Sequence, residues 1–259
     1  MRNILTVLFR ATLLVMVSLG TVSSLGAQEK PGASADLPVR NEINRQYQLA
    51  PNTTVEISMI AGPVEIETMS GQSAEIKIVN SAETQADLDC SDIPIEQTRE
   101  KLVIRTKPRC NIVRVNQRVM LKLPRNVNLD LQNIAGHVRI GATEGMVRLN
   151  SIAGNVSTGP LQAAEMSSLA SGLSMEINQI DERGVRLSSI VGGIELGLSD
   201  NLNAQFVASS IIGNVVSDIP SIKLSTEGRF DFEAQIGSGG PRITISSVRG
   251  GIRLHKLFA

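Results

Sequence analysis

The chain is 259 residues long, sets 25 Lys plus Arg against 25 Asp plus Glu, and has no Trp and one Tyr. Balanced charge provides no net field to gather nucleic acid or a strongly anionic membrane, which excludes partners held by bulk electrostatics. The length suffices for a sizeable core, and with only five Phe that core must be aliphatic.

The opening residues read as an export signal. Arg2 and Arg10 give a basic start, Ala11 to Val22 is an apolar run, and Ser23-Ser-Leu-Gly-Ala27 offers small residues for cleavage. The run is shorter than the roughly 18 to 20 apolar residues a bilayer span needs. No Cys follows it to carry a lipid anchor. Residues 1–27 are therefore assigned as a signal peptide. The mature chain is expected to be exported, without a transmembrane segment, to the periplasm or the cell surface. Residues 28–40, with Pro31, Gly32, Ser34 and Pro38, read as a flexible linker.

Residues 41–132 are expected to form an N-terminal β region. Asn41 to Ala50 reads as an edge strand. From Thr53 the pattern alternates, with Val55, Ile57 and Met59 on one side and Thr54, Glu56 and Ser58 on the other. After the turn Ala61-Gly62-Pro63, Val64 and Ile66 alternate with Glu65 and Glu67, and Ala74-Glu-Ile-Lys-Ile78 follows. This period of two predicts half-buried, antiparallel-type strands with one wet face. Ser81 to Arg118 is more polar and holds Cys90 and Cys110, twenty positions apart. In an oxidising compartment an even pair reads as one disulfide, and no second pair of ligands supports a metal site. Val119-Met-Leu-Lys-Leu-Pro124 and Val127-Asn-Leu-Asp-Leu131 resume the alternation.

From Asn133 to the C terminus a phrase recurs: Asn133-Ile-Ala-Gly136, Ser151-Ile-Ala-Gly154, Ser168-Leu-Ala-Ser-Gly172, Ser189-Ile-Val-Gly192, Ser210-Ile-Ile-Gly213 and Ser247-Val-Arg-Gly250. An isolated copy ends at Gly62. The glycine steps from Gly136 are 18, 18, 20, 21 and 37. A period near 20 predicts a repeat architecture in which each unit buries its apolar face only against its neighbours. We read residues 133–259, continuous with the preceding region, as an all-β, β-helix-like solenoid of stacked coils of about 18–21 residues. Each coil carries two strands, and its glycine marks the turn between them, through positive φ or the absence of a Cβ where backbones approach. The stretch Thr226 to Pro241, with Phe230, Asp231, Phe232 and Glu233, departs from the rhythm. It reads as one coil with an enlarged loop or as a binding loop. Arg253, His255 and Lys256 are expected to close the last coil with charge.

Catalytic patterns are absent or weak. His137 takes a place that other repeats give to Asn or Gly and reads as a surface turn residue. There is no His-Glu-x-x-His, no Gly-x-Ser-x-Gly, no phosphate-binding glycine loop and no calcium-type nonapeptide, so neither cofactor nor metal is expected. Asp181-Glu182, Asp231 and Glu233 are the carboxylates a polysaccharide-active β-helix would use, but few aromatic platforms accompany them.

On Val55-Glu-Ile-Ser-Met-Ile-Ala-Gly-Pro-Val-Glu-Ile66, on Leu121-Lys-Leu-Pro124 with Val127-Asn-Leu-Asp-Leu131, and on the repeated phrase, the chain resembles the bacterial putative-adhesin family, whose domain has no assigned function. The resemblance spans about Thr53 to Leu254. It implies an exported or envelope-associated β-solenoid and transfers no catalytic residue. The expected function is a non-enzymatic, adhesin-like scaffold in contact with an envelope or surface protein or a glycan. A polysaccharide-active enzyme with acids near Asp181 or Asp231, and an envelope-stress or signalling partner that accepts an added strand, remain as alternatives.

Overall fold

The computed structural model describes residues 37–111, 114–226 and 228–257. The expected signal peptide and most of the expected linker lie outside the described residues. The linker's last two positions, Val39 and Arg40, already belong to the first strand.

That strand, β1 (Val39–Gln48), is followed by β2 (Thr54–Ile60), β3 (Val64–Met69), β4 (Ser73–Ala82) and one helical turn, α1 (Gln85–Asp89). The short β5 (Ser91–Asp92), β6 (Ile95–Gln97), β7 (Lys101–Arg105) and β8 (Lys107–Pro108) lead into β9 (Asn116–Pro124). Next come β10 (Asn128–Ile134), β11 (Val138–Ile140), β12 (Thr143–Ile152), β13 (Val156–Leu169), β14 (Leu173–Ile177), β15 (Val185–Val191) and β16 (Ile194–Leu198). The chain ends in β17 (Ala204–Ile212), β18 (Val215–Ser217), β19 (Ser225–Thr226), β20 (Phe232–Ile236), β21 (Arg242–Arg249) and β22 (Ile252–Lys256).

All of these strands except β5 and β8 join one mixed sheet, which curls as a half-barrel around an aliphatic core. Its strands pair in two parallel columns. The first runs β7-β2-β10-β12-β13-β15-β21-β17 and the second β9-β3-β11-β13-β14-β16-β22-β18. Long β13 serves both, pairing with β11 and β14 through its first half and with β12 and β15 through its second. Antiparallel strands close the ends: β6 on β7, β4 and then β1 on β9, and β20 with β19 on β17.

Register turns the period of two into rows. In the first column Ile104, Ile57, Leu131, Leu149, Met166, Leu187, Ile245 and Ala208 are successive Cα partners, all buried. In the second, Val119, Val64, Val138, Val156, Leu173, Ile194 and Ile252 form the matching buried row. Each of these side chains except Ala208 contributes about 1.5–3 kcal/mol by leaving water.

The stacking order departs from the chain order. The C-terminal pair β21–β22 inserts between β15–β16 and β17–β18, so the last strands in sequence are internal. Arg253, His255 and Lys256 therefore do not close the array. Instead Arg253 pairs with Asp218 at 2.6 Å and Lys256 with Asp200 at 2.7 Å. The long step from Gly213 to Gly250 arises because the chain first caps β17 with β19–β20 and then returns.

Gly62, Gly136, Gly154, Gly172, Gly192, Gly213 and Gly250 all fall between the two strands of their rung. Gly62, Gly192, Gly213 and Gly250 have positive φ, between 142° and 158°, and a second positive-φ residue opens each phrase. Asn133, Ser151, Ser168, Ser189, Ser210 and Ser247 have φ between 53° and 58°, and Met59 has φ 60°. This kink flips the alternation by one place, so Ile60, Ile134, Ile152, Leu169, Ile190, Ile211 and Val248 are buried after it. Met59 consequently does not share the buried side of Val55 and Ile57 but stands 47% exposed. Asn and other short polar residues tolerate this conformation, while Met loses about 1–2 kcal/mol in it. Met59→Asn should thus gain about 1 kcal/mol, a rise of roughly 2–4 °C in melting temperature. An unchanged or lower value in a thermal scan would count against the strain assigned to Met59.

Cys90 and Cys110 are joined, with Cα atoms 5.1 Å apart, pinning the end of α1 to the β5–β8 ribbon. Closing a loop of this size contributes roughly 3 kcal/mol in the chain-entropy model.

Candidate functional site

The outward residues of the first column form two rows of different chemistry. Asp130, Arg148, Glu165 and Arg186 alternate in sign across four neighbouring strands, with Arg148 and Glu165 3.6 Å apart. Two places further along each strand, Gln132, Asn150, Ser167, Ser188, Ser246 and Ser209 are successive partners. Strand pairing sets the spacing at about 4.8 Å, so hydroxyls and amides repeat at the period of the backbone. They reach this face because the following kink residue, Asn133 and its equivalents, reverses the alternation only after them.

A second polar region lies where each rung returns to the next. A cavity of about 650 Å³ there is lined by Thr143, Glu144, Gln162, Asn178, Gln179, Ser199 and Asn201, among others. One of about 320 Å³ shares Gln162, Asn178, Gln179 and Asn201 and adds Asp181 and Asn203. Asn203 is occupied by Ser238, whose N–H and Oγ donate to its Oδ1 at 2.8 and 3.0 Å. Among the described residues no side-chain hydrogen bond engages the amides of Gln162, Asn178, Gln179 or Asn201, so each keeps donors and an acceptor free. The sequence carried a faint signal for Asn178 and for the neighbouring lining residue Ser199: each follows the last buried residue of a second-column strand.

Asp181 borders this groove but is already committed. Its carboxylate accepts from the Arg183 backbone N–H at 2.8 Å and from Arg183 Nε at 2.7 Å, with the remaining guanidinium nitrogen also in contact. Partial burial alone would raise its pKa, yet the hydrogen bonds and charge of Arg183 hold it below the usual aspartate range. A carboxylate so held is a poor proton donor or acceptor near neutral pH. Asp231 is elsewhere, at the β17 corner, where Oδ1 accepts from Ser210 N–H at 2.9 Å. The two acids do not converge.

The four residues of the expected binding loop also separate. Phe232 is half-buried against the core, and Glu233 pairs along β20 with Val207 and Ser225. Asp231 is pinned as above. Phe230 alone among them is a large exposed side chain, at 43%, with the Arg229 guanidinium 5.3 Å from its ring centre. Residues 228–241 thus hold a capping strand with its turns, set on the edge of β17 rather than looping out of one coil. Its Asp-Phe-Glu alternation had the period of a strand, and β17 offered the edge.

A charged trough of about 690 Å³ lies over β1, β4, β9 and β3, lined by Glu65, Glu67, Glu75, Lys77 and Lys122 among others. Beside it Glu42 accepts from Lys77 Nζ at 2.8 Å and from Asn44, and these bonds hold its pKa below the usual glutamate range. His137 is an exposed turn residue whose Nδ1 accepts from the next rung's Asn155 N–H at 3.2 Å. Among the described residues no cluster of His, Cys, Asp and Glu is arranged to hold a metal ion, and no helix is long and apolar enough to cross a membrane.

No family model and no curated protein matches the chain. Among solved structures it is similar to a putative cell adhesion protein from Clostridium sporogenes, with 9% identity and a TM-score of 0.36 over 84% of this chain and 100% of that one. It is similar also to a putative adhesin from Bacteroides fragilis, with 14% identity and a TM-score of 0.38 over 84% and 99%. A putative lipid binding protein from Parabacteroides distasonis follows at 10% identity and a TM-score of 0.29, over 84% and 97%. Likenesses at this level carry no argument about what the chain binds.

Proposed function

We propose that this protein is a non-enzymatic, exported envelope protein, an adhesin-like β-solenoid scaffold that makes adhesive or protein–protein contacts with an envelope or surface protein or a glycan. The two parallel columns, with a corner in every rung, support the solenoid reading, although the rungs are not stacked in chain order. The disulfide supports an oxidising compartment.

One observation carries the functional reading: the row Gln132, Asn150, Ser167, Ser188, Ser246 and Ser209 on six adjacent strands. Such a face is stiff, because its backbone is bonded on both sides. It offers a row of hydrogen-bonding groups repeated at the strand spacing, which favours numerous weak contacts along an extended partner. Affinity then comes from repetition.

The test uses purified protein on a glycan array and in pull-downs from cell-envelope extract. Asn150→Arg with Ser188→Arg should weaken capture at least about tenfold while leaving the melting temperature within a few degrees. Retained capture by this variant would remove the polar face from consideration. Release of new reducing ends from a polysaccharide by the wild-type protein would favour the enzyme instead.

A further inference from the structure

Among the described residues the sheet has one long bare edge. β17 is covered by β20, β7 by β6, and β18 is only three residues long. β1 is ten residues long, pairs with β4 along one side without a register shift, and pairs with no strand on the other among the described residues. Edges are ordinarily blunted by Pro, charged side chains, a bulge or shortness. β1 is long and has no Pro and no bulge; its charges are Arg40 and Glu42 on the outer side and Arg45 on the core side, opposite Ile76.

We propose that β1 pairs antiparallel with β1 of a second copy about a twofold axis at Ile43, giving a dimer with one sheet continuous through both chains. The occupant and register follow from matching side chains across the axis. In such a pair, facing residues lie on the same side of the sheet, so the axis passes through a single residue. With Ile43 on the axis, the core-side row brings Ile43 to Ile43, Val39 to Tyr47 and Asn41 to Arg45. The outer row brings Arg40 to Gln46 and Glu42 to Asn44. Apolar meets apolar, every charge meets a neutral polar group, and Glu42 keeps its Lys77.

Neighbouring registers fail on chemistry. An axis at Glu42 sets two carboxylates face to face, and one at Arg45 sets two guanidinium groups together. An axis at Asn44 opposes Ile43 to Arg45 and Asn41 to Tyr47, while one at Asn41 pairs only five residues of each strand. Val39, Ile43 and Tyr47 are half-exposed in the single chain, packed on the core from one side only, so the partner strand would complete their burial. Like charges directly opposed destabilise a pair by an amount comparable to what a good cross-strand pair contributes, so these mismatches decide the register.

The test is sedimentation of the purified full chain together with single-cysteine crosslinking along β1. Wild-type protein should sediment as a dimer at about 100 μM, well above a micromolar dissociation constant. On mild oxidation Ile43→Cys should give a covalent dimer on a non-reducing gel, because only the axial residue faces itself. Glu42→Cys and Gln46→Cys should remain largely uncrosslinked, as each faces a different residue. A monomeric wild type overturns the proposal. So does a dimer in which Glu42→Cys or Gln46→Cys crosslinks as well as Ile43→Cys, which would mean another register or another interface. Thermal scans of each variant establish that the fold is retained. The result is independent of the polar face, since neither the cysteines nor the readout involve it.

Discussion

Gly154→Ala is expected to lower the melting temperature by roughly 10 °C, from a loss of about 3–4 kcal/mol. A Cβ built on Gly154 would lie 2.2 Å from the Gly136 carbonyl oxygen and 2.4 Å from its carbon. Both are backbone atoms of the neighbouring rung, so no side chain can rotate away. Relief requires the two corners to part, which stretches the Val138 N–H to Asn155 carbonyl bond, 2.9 Å in the native stack. The same clash recurs at Gly136 against Gly62, at 2.2 Å. Gly172 is the internal control. Its Cβ would meet nothing nearer than 3.5 Å, so Gly172→Ala should be close to neutral. Equal melting temperatures for the two variants would show that rung spacing does not depend on the missing side chain.

Phe206→Ala should cost about 3–5 kcal/mol in urea denaturation, with Phe206→Leu costing less than about 1.5. Phe206 is fully buried and ends the row Leu102, Val55, Leu129, Val147, Ala164, Val185 and Ile243. At the last rung no further parallel strand covers the core. The ring fills that end, with Ala234 of β20 paired beside it. Truncation should therefore also loosen the cap, so amide exchange in Phe232–Ile236 should quicken more than in β10 or β12. A uniform change across the sheet, or a loss below about 1 kcal/mol, would mean that the end of the core is closed by other side chains.

The expected signal peptide lies beyond the described residues, so export rests here on the disulfide. That pairing was legible because two cysteines in a chain expected to be exported have few other uses. Their placement at the end of α1 was not legible, since Ser81 to Arg118 lacks the regular period on which strand assignment depends. The open amides of Gln162, Gln179 and Asn201 were invisible for a different reason. They share no motif and meet only because successive rungs return at one level.

By itself, the sequence determined what is local. A period of two fixed which aliphatic residues face inward, and the recurring phrase fixed where each rung turns, because both act within a few residues of backbone. It misplaced one local detail, putting Met59 on the side of Val55 and Ile57, because Met59, Asn133, Ser151 and their equivalents hold a left-handed φ ahead of each glycine, while the glycines themselves combine positive φ at Gly62, Gly192, Gly213 and Gly250 with room for the neighbouring backbone. Only the tertiary structure decided the order of stacking. Every rung presents nearly the same aliphatic row, so the pattern of any one rung does not say which neighbour it prefers. The insertion of β21–β22 between β15–β16 and β17–β18 follows instead from how the ends are covered. Phe206 and β20 make β17 fit to be terminal, while β21–β22 is apolar inward and bonds on both sides, which suits an interior place.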